Sequence, residues 1–105
     1  MSKETTVTLK GASGGSYDFD VYPWGVSFNP LGAVYTVLRK NPPNFYVQYV
    51  DQTSDLSCRF DDHHKQPSFD GHGKTHIAIH LDSSESSRLS KEADLVASYN
   101  PVCND

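Results

Sequence analysis

Residues 33–51 read AVYTVLRKNPPNFYVQYVD, and this stretch decides the fold. Ala33–Arg39 and Phe45–Asp51 are rich in Val and Tyr, and Asn41-Pro-Pro-Asn44 lies between them. β-branched and aromatic side chains fill a pleated surface well, whereas proline cannot donate to a ladder, so two strands joined by a turn are predicted. Alternation places Ala33, Tyr35, Val37 and Arg39 on one face of the first strand. It places Phe45, Val47, Tyr49 and Asp51 on one face of the second.

Toward the N-terminus, Thr5–Lys10 and Tyr17–Tyr22 alternate in the same way around the turn cluster GASGG (11–15), which predicts a second hairpin. Pro23 to Pro30 is a loop carrying Trp24. Toward the C-terminus the period changes. Asp55 to about Lys65 reads as a helix with Thr53 or Ser54 as its cap, and Leu56, Arg59, Phe60 and His63 share one face of it. Gln66–Lys74 reads as a loop and Thr75–Leu81 as a strand. Asp82 with Glu85 three residues on opens a last helix to about Ser98. The order β-β, β-β, α, β, α predicts an α+β domain with a small, mainly antiparallel sheet flanked by helices.

The chain has 105 residues, which gives room for one domain with a modest core and excludes a large cofactor cradle or a two-domain cleft. No apolar run is long enough to span a bilayer, and MSKETTVTLK lacks the apolar core of a signal peptide. Cys58 and Cys103 are the only cysteines, so a reduced, cytoplasmic protein without membrane attachment is expected. The formal charge of −4 argues against holding nucleic acid by bulk charge alone. That charge is uneven: residues 1–50 carry four bases against three acids, and 51–105 five against ten.

In the last helix, Leu89, Ala93 and Val96 form the expected apolar stripe, with Leu95 and Tyr99 beside it, and Glu92 falls inside it. A carboxylate there costs desolvation unless it is paired. It reads as a partner of Arg88, as a solvated edge, or as a metal ligand facing a cleft. Tyr35 and Tyr49 read as core tyrosines with wet hydroxyls when taken alone, and Arg59 and His63 as solvated.

The ordered set is more specific than any member. Ala33-Val-Tyr35, then Tyr49-Val-Asp-Gln-Thr-Ser-Asp-Leu56, then Arg59 and His63, then Glu92, then Tyr99-Asn-Pro-Val-Cys-Asn104, resembles the GIY-YIG nuclease family over residues 32–104. The resemblance implies a β-β-α-β-α core over 32–105, with 1–31 as an N-terminal hairpin and loop extension. It implies an endonuclease that hydrolyses nucleic-acid phosphodiesters, DNA by preference, with one Mg²⁺ or Mn²⁺. By the same resemblance Tyr35 positions or deprotonates the attacking water and Tyr49 lies near the scissile phosphate. Arg59 neutralises phosphoryl oxygens, His63 accepts a proton or touches phosphate, Glu92 holds the metal and Asn104 braces the site. Activated water, a Lewis acid and positive charge are the parts such a hydrolysis needs.

Two positions depart from the family pattern. Ala33 replaces a glycine, a small change. Asp51 replaces another, and it shares a face with Tyr49. It reads as a block to phosphate, a second metal ligand or a favourable charge at a helix start. The alternative function is therefore a catalytically impaired GIY-YIG-like module that binds nucleic acid or a protein partner. Weak binding is expected, with specificity from DNA shape, a partner or the few bases of the N-terminal half.

Three other features have competing readings. Five histidines between 63 and 80, with Cys58, raise a zinc site, but no two-cysteine knuckle accompanies them. Trp24 and Tyr22 read as a cap on the core or as a stacking surface for bases. Arg39-Lys40 reads as solvated surface or as a guide for a phosphate backbone.

Overall fold

The computed structural model describes residues 3–42, 44–58, 71, 73–101, 103 and 104. Five strands, β1 (Thr5–Lys10), β2 (Ser16–Pro23), β3 (Ala33–Asn41), β4 (Asn44–Thr53) and β5 (His76–Leu81), precede one helix, α1 (Glu85–Tyr99). The strands form one antiparallel sheet in the order β1-β2-β5-β3-β4. The fold is α+β. Both predicted hairpins form, and β2 pairs with β5, so the N-terminal hairpin extends the same sheet that holds β3 and β4. The helix expected from Asp55 opens as a 3-10 turn, Leu56–Cys58, and its remainder to Lys65 lies outside the described residues.

Alternation along β3 and β5 sends apolar side chains to both faces of the sheet. Ala33, Tyr35, Val37, Ile77 and Ile79 join Tyr49, Leu56 and Cys103 in one cluster, with Tyr22, Trp24 and Phe28 packed against it. Val34, Leu38 and Ala78 point the other way and join Leu9, Phe19, Val21, Val50 and Leu95. These clusters are called the loop face and the helix face.

The predicted faces of β4 need correction. Val37 pairs with Tyr49 and Leu38 with Val47, so Gln48 is an extra residue bulged from the ladder. One inserted residue inverts the side-chain parity beyond it. Tyr49 therefore packs on the loop face, while Phe45 and Val47 pack on the helix face. Cys103 N–H donates to Gln48 O (2.8 Å), and the Asn104 side chain brackets Val50, accepting from its N–H (2.9 Å) and donating to its C=O (2.8 Å). The C-terminal segment thus satisfies part of an edge strand that would otherwise present open backbone groups.

The helix starts later than expected. Ser84, not Asp82, is the N-cap and accepts from Ser87 N–H. Asp82 instead accepts from Ser84 N–H and pairs with Lys91 at 2.8 Å. Asn100 closes the helix in the left-handed region (φ 44°), which asparagine tolerates, and Pro101 cannot continue it. The predicted stripe is also rotated. Arg88 and Leu95 are the helix's buried residues, whereas Leu89 is 46% exposed. The reason is local: the Arg88 guanidinium donates to Gln52 Oε1 (2.9 Å) and Asp82 O (3.1 Å). Gly32 leaves room for it, since a Cβ there would lie 2.6 Å from Arg88 Nη1. A satisfied buried arginine turns the helix so that a leucine faces solvent.

Candidate functional site

Two constellations bear on function. The first is the tyrosine pair. Tyr35, central on β3, is fully buried, and Tyr49 on β4 is 5% exposed. Their rings lie 6.1 Å apart and tilted. The Asp51 carboxylate joins them. Its Oδ2 accepts from Tyr49 Oη at 2.8 Å and from Tyr35 Oη at 3.4 Å, and its Oδ1 accepts from Gln52 N–H at 2.7 Å. This arrangement follows from strand geometry, because Tyr35 and Asp51 are cross-strand partners and Tyr49 lies two residues from Asp51 on the same face.

Of the residues the motif order singles out, Tyr35 and Tyr49 come together, with Asn104 bracing the backbone of Val50 between Tyr49 and Asp51. Glu92 does not join them. Its helix packs through Leu95 on the helix face, and the two tyrosines belong to the loop face. Arg59 and His63 lie outside the described residues.

The implied metal can be tested against these residues. At the tyrosine pair, both carboxylate oxygens of Asp51 already accept hydrogen bonds from protein groups. Glu92 is on the far side of a β-sheet. Among the described residues no three His, Cys, Asp or Glu side chains gather as a ligand set. Among the described residues, the donors do not fit a divalent ion at the tyrosine pair. The zinc reading fares no better where it can be followed. His76 contacts Thr75 Oγ1 (2.7 Å) and Glu4 Oε1 (3.0 Å), and His80 contacts Asp18 O (2.9 Å) and Lys91 Nζ (2.9 Å). His63, His64 and His72 lie outside the described residues.

The second constellation stands at the end of the sheet where β3 leaves the core. Backbone bonds gather it: Thr75 N–H donates to Leu38 O (2.9 Å) and Trp24 N–H to Thr75 O (3.1 Å). Arg39 and Tyr46 are cross-strand partners, and the guanidinium lies 5.2 Å from the Tyr46 ring centre. Lys74 Nζ lies 4.9 Å from the Trp24 ring centre. Arg39 also runs beside the 73–74 turn, where a Cβ on Gly73 would sit 3.4 Å from Arg39 Cδ. On the other side of the strand Lys40 pairs with Glu4 (3.1 Å) and lies over Phe45. Cations over aromatic faces are held by the ring quadrupole.

No family model, curated protein or solved structure matches the chain. Function therefore rests on these two constellations and on the motif order.

Sequence reasoning caught Trp24 and Arg39-Lys40 as fragments but not their union with Lys74 and Tyr46, which requires the strand register. It missed a third network. The Asp94 carboxylate accepts from Ser13 N–H (2.8 Å), Ser13 Oγ (2.8 Å) and Tyr17 Oη (2.7 Å), clasping the Gly11–Gly15 turn to the helix. The Tyr17 hydroxyl foremost, then Ser13, hold Asp94 below the usual carboxylate range, and Asp94 in turn raises Tyr17. No spacing signal joins residues so distant in the chain.

Proposed function

We propose that this chain is a nucleic-acid-binding module on a GIY-YIG-like core that does not hydrolyse phosphodiesters at its tyrosine pair. The observation that carries the reading is the Asp51 carboxylate seated against both tyrosine hydroxyls. A hydroxyl donating to a carboxylate is engaged where an attacking water would need it. A phosphate seated there would have to displace a carboxylate that already accepts from both hydroxyls and from Gln52 N–H. Positive charge lies instead at the sheet end, on Arg39, Lys40 and Lys74, so a phosphate backbone is received there. The overall charge of −4 accords with a weak grip. A cytoplasmic setting, which keeps Cys103 a thiol, suits such a module.

The motif order favours the other reading, an endonuclease using Glu92 and Mg²⁺ or Mn²⁺. Incubation of supercoiled plasmid with either ion, beside Glu92→Ala and Arg59→Ala, separates the two. No nicking by the wild type is expected, while it binds a labelled oligonucleotide in a salt-dependent manner. Nicking by the wild type that both substitutions abolish would overturn the binding reading and establish the endonuclease.

A further inference from the structure

We infer that the sheet end formed by Trp24, Arg39, Tyr46 and Lys74 is a stacking platform for single-stranded nucleic acid. This rests on the binding reading and names its substrate class. The four residues come from three separate segments, and the ladder of β3 brings them to one place. Each of two aromatic rings carries its own cation, Lys74 over Trp24 and Arg39 over Tyr46. Tyr46 is 44% exposed, so its ring can be reached from solvent. Gly73, in a left-handed conformation (φ 74°), brings the 73–74 turn against Arg39 without a side chain of its own intervening.

The chemistry selects the ligand. A duplex offers a face of phosphates and closed base edges, and two or three cations grip it poorly. An unpaired strand also offers base faces, which stack on tyrosine, tryptophan and guanidinium planes while nearby cations meet the phosphates. Arg39 and Lys74 suit the second pattern because each already lies against a ring. With two phosphate contacts, the affinity for a single strand should fall with salt at a log–log slope of about 1–2.

The test is fluorescence anisotropy of a labelled mixed-sequence single strand and of the same strand annealed to its complement, with wild type, Tyr46→Ala and Lys74→Ala. Far-ultraviolet circular dichroism and the urea midpoint report that each variant keeps the fold. The single strand is expected to bind at least tenfold tighter than the duplex. Tyr46→Ala should weaken it about tenfold, and Lys74→Ala should lower the salt slope by about 0.7. Equal or tighter duplex binding, or a single-strand affinity unmoved by Tyr46→Ala, overturns the platform and leaves the binding reading standing. Absence of binding to either form overturns both.

Discussion

The Tyr49–Asp51 contact should be the strongest pairwise coupling at the tyrosine pair, and a double-mutant cycle measures it. Tyr49→Phe removes the hydroxyl and little else, and Asp51→Asn keeps the shape while discarding the charge. At 2.8 Å the bond has charge-assisted geometry, and Tyr49 is almost wholly buried. Such bonds contribute about 1.5–3 kcal/mol, against about 1 for a neutral bond, so the cycle should return a coupling of about 1–2 kcal/mol. Tyr35 stands at 3.4 Å from the same oxygen, and the cycle with Tyr35→Phe should return well under 1 kcal/mol. Urea unfolding followed by Trp24 emission gives the four stabilities. In a domain of this size 1 kcal/mol moves the thermal midpoint by about 4–8 °C, so both couplings are resolvable. A Tyr49–Asp51 coupling below about 0.3 kcal/mol, within the additivity of independent sites, would refute the claim that the carboxylate engages the tyrosine.

Three further predictions follow from the packing. The Thr36 hydroxyl is buried and has no hydrogen-bond partner among the described residues, so Thr36→Val should stabilise the fold by about 1 kcal/mol in urea titration. Asn104→Ala should cost about 1–2 kcal/mol and speed hydrogen exchange at the Val50 amide, because both backbone groups of Val50 lose their bracket. Stability should decline at both ends of the pH range through the Asp94–Tyr17 bond. The carboxyl is depressed, so its contribution holds above its ordinary 3.8 and is lost as pH falls below it; the phenol is raised, so its contribution holds below its ordinary 10.0 and is lost above it. Tyr17→Phe should flatten both flanks of a plot of urea midpoint against pH.

The strands were legible because alternation of β-branched and aromatic residues is a local property. The bulge was not. Gln48 carries no glycine or other punctuation, and a single extra residue inverts the face of Phe45 and Val47 relative to Tyr49. The helix was legible in extent but not in rotation, because its rotation depends on Arg88 finding Gln52 across the sheet and a gap at Gly32. The same limit governs the candidate site. Tyr35, Tyr49 and Asn104 lie on neighbouring strands or beside them, so motif order placed them well. Which side of the sheet receives Glu92 is decided by long-range packing of Leu95. Asp51 departs from the motif at a position whose face strand alternation gives, but its contact with the Tyr35 hydroxyl follows only from the cross-strand register.

Amide chemical-shift mapping with an unlabelled oligonucleotide titrated into ¹⁵N-labelled protein tests the central claim most directly. The account predicts shifts gathered on residues 22–25, 39–46 and 73–75, with the amides of Tyr35, Asp51 and Glu92 left in place. Shifts centred on Tyr35, Asp51 and Glu92, or none at saturating oligonucleotide, would contradict it.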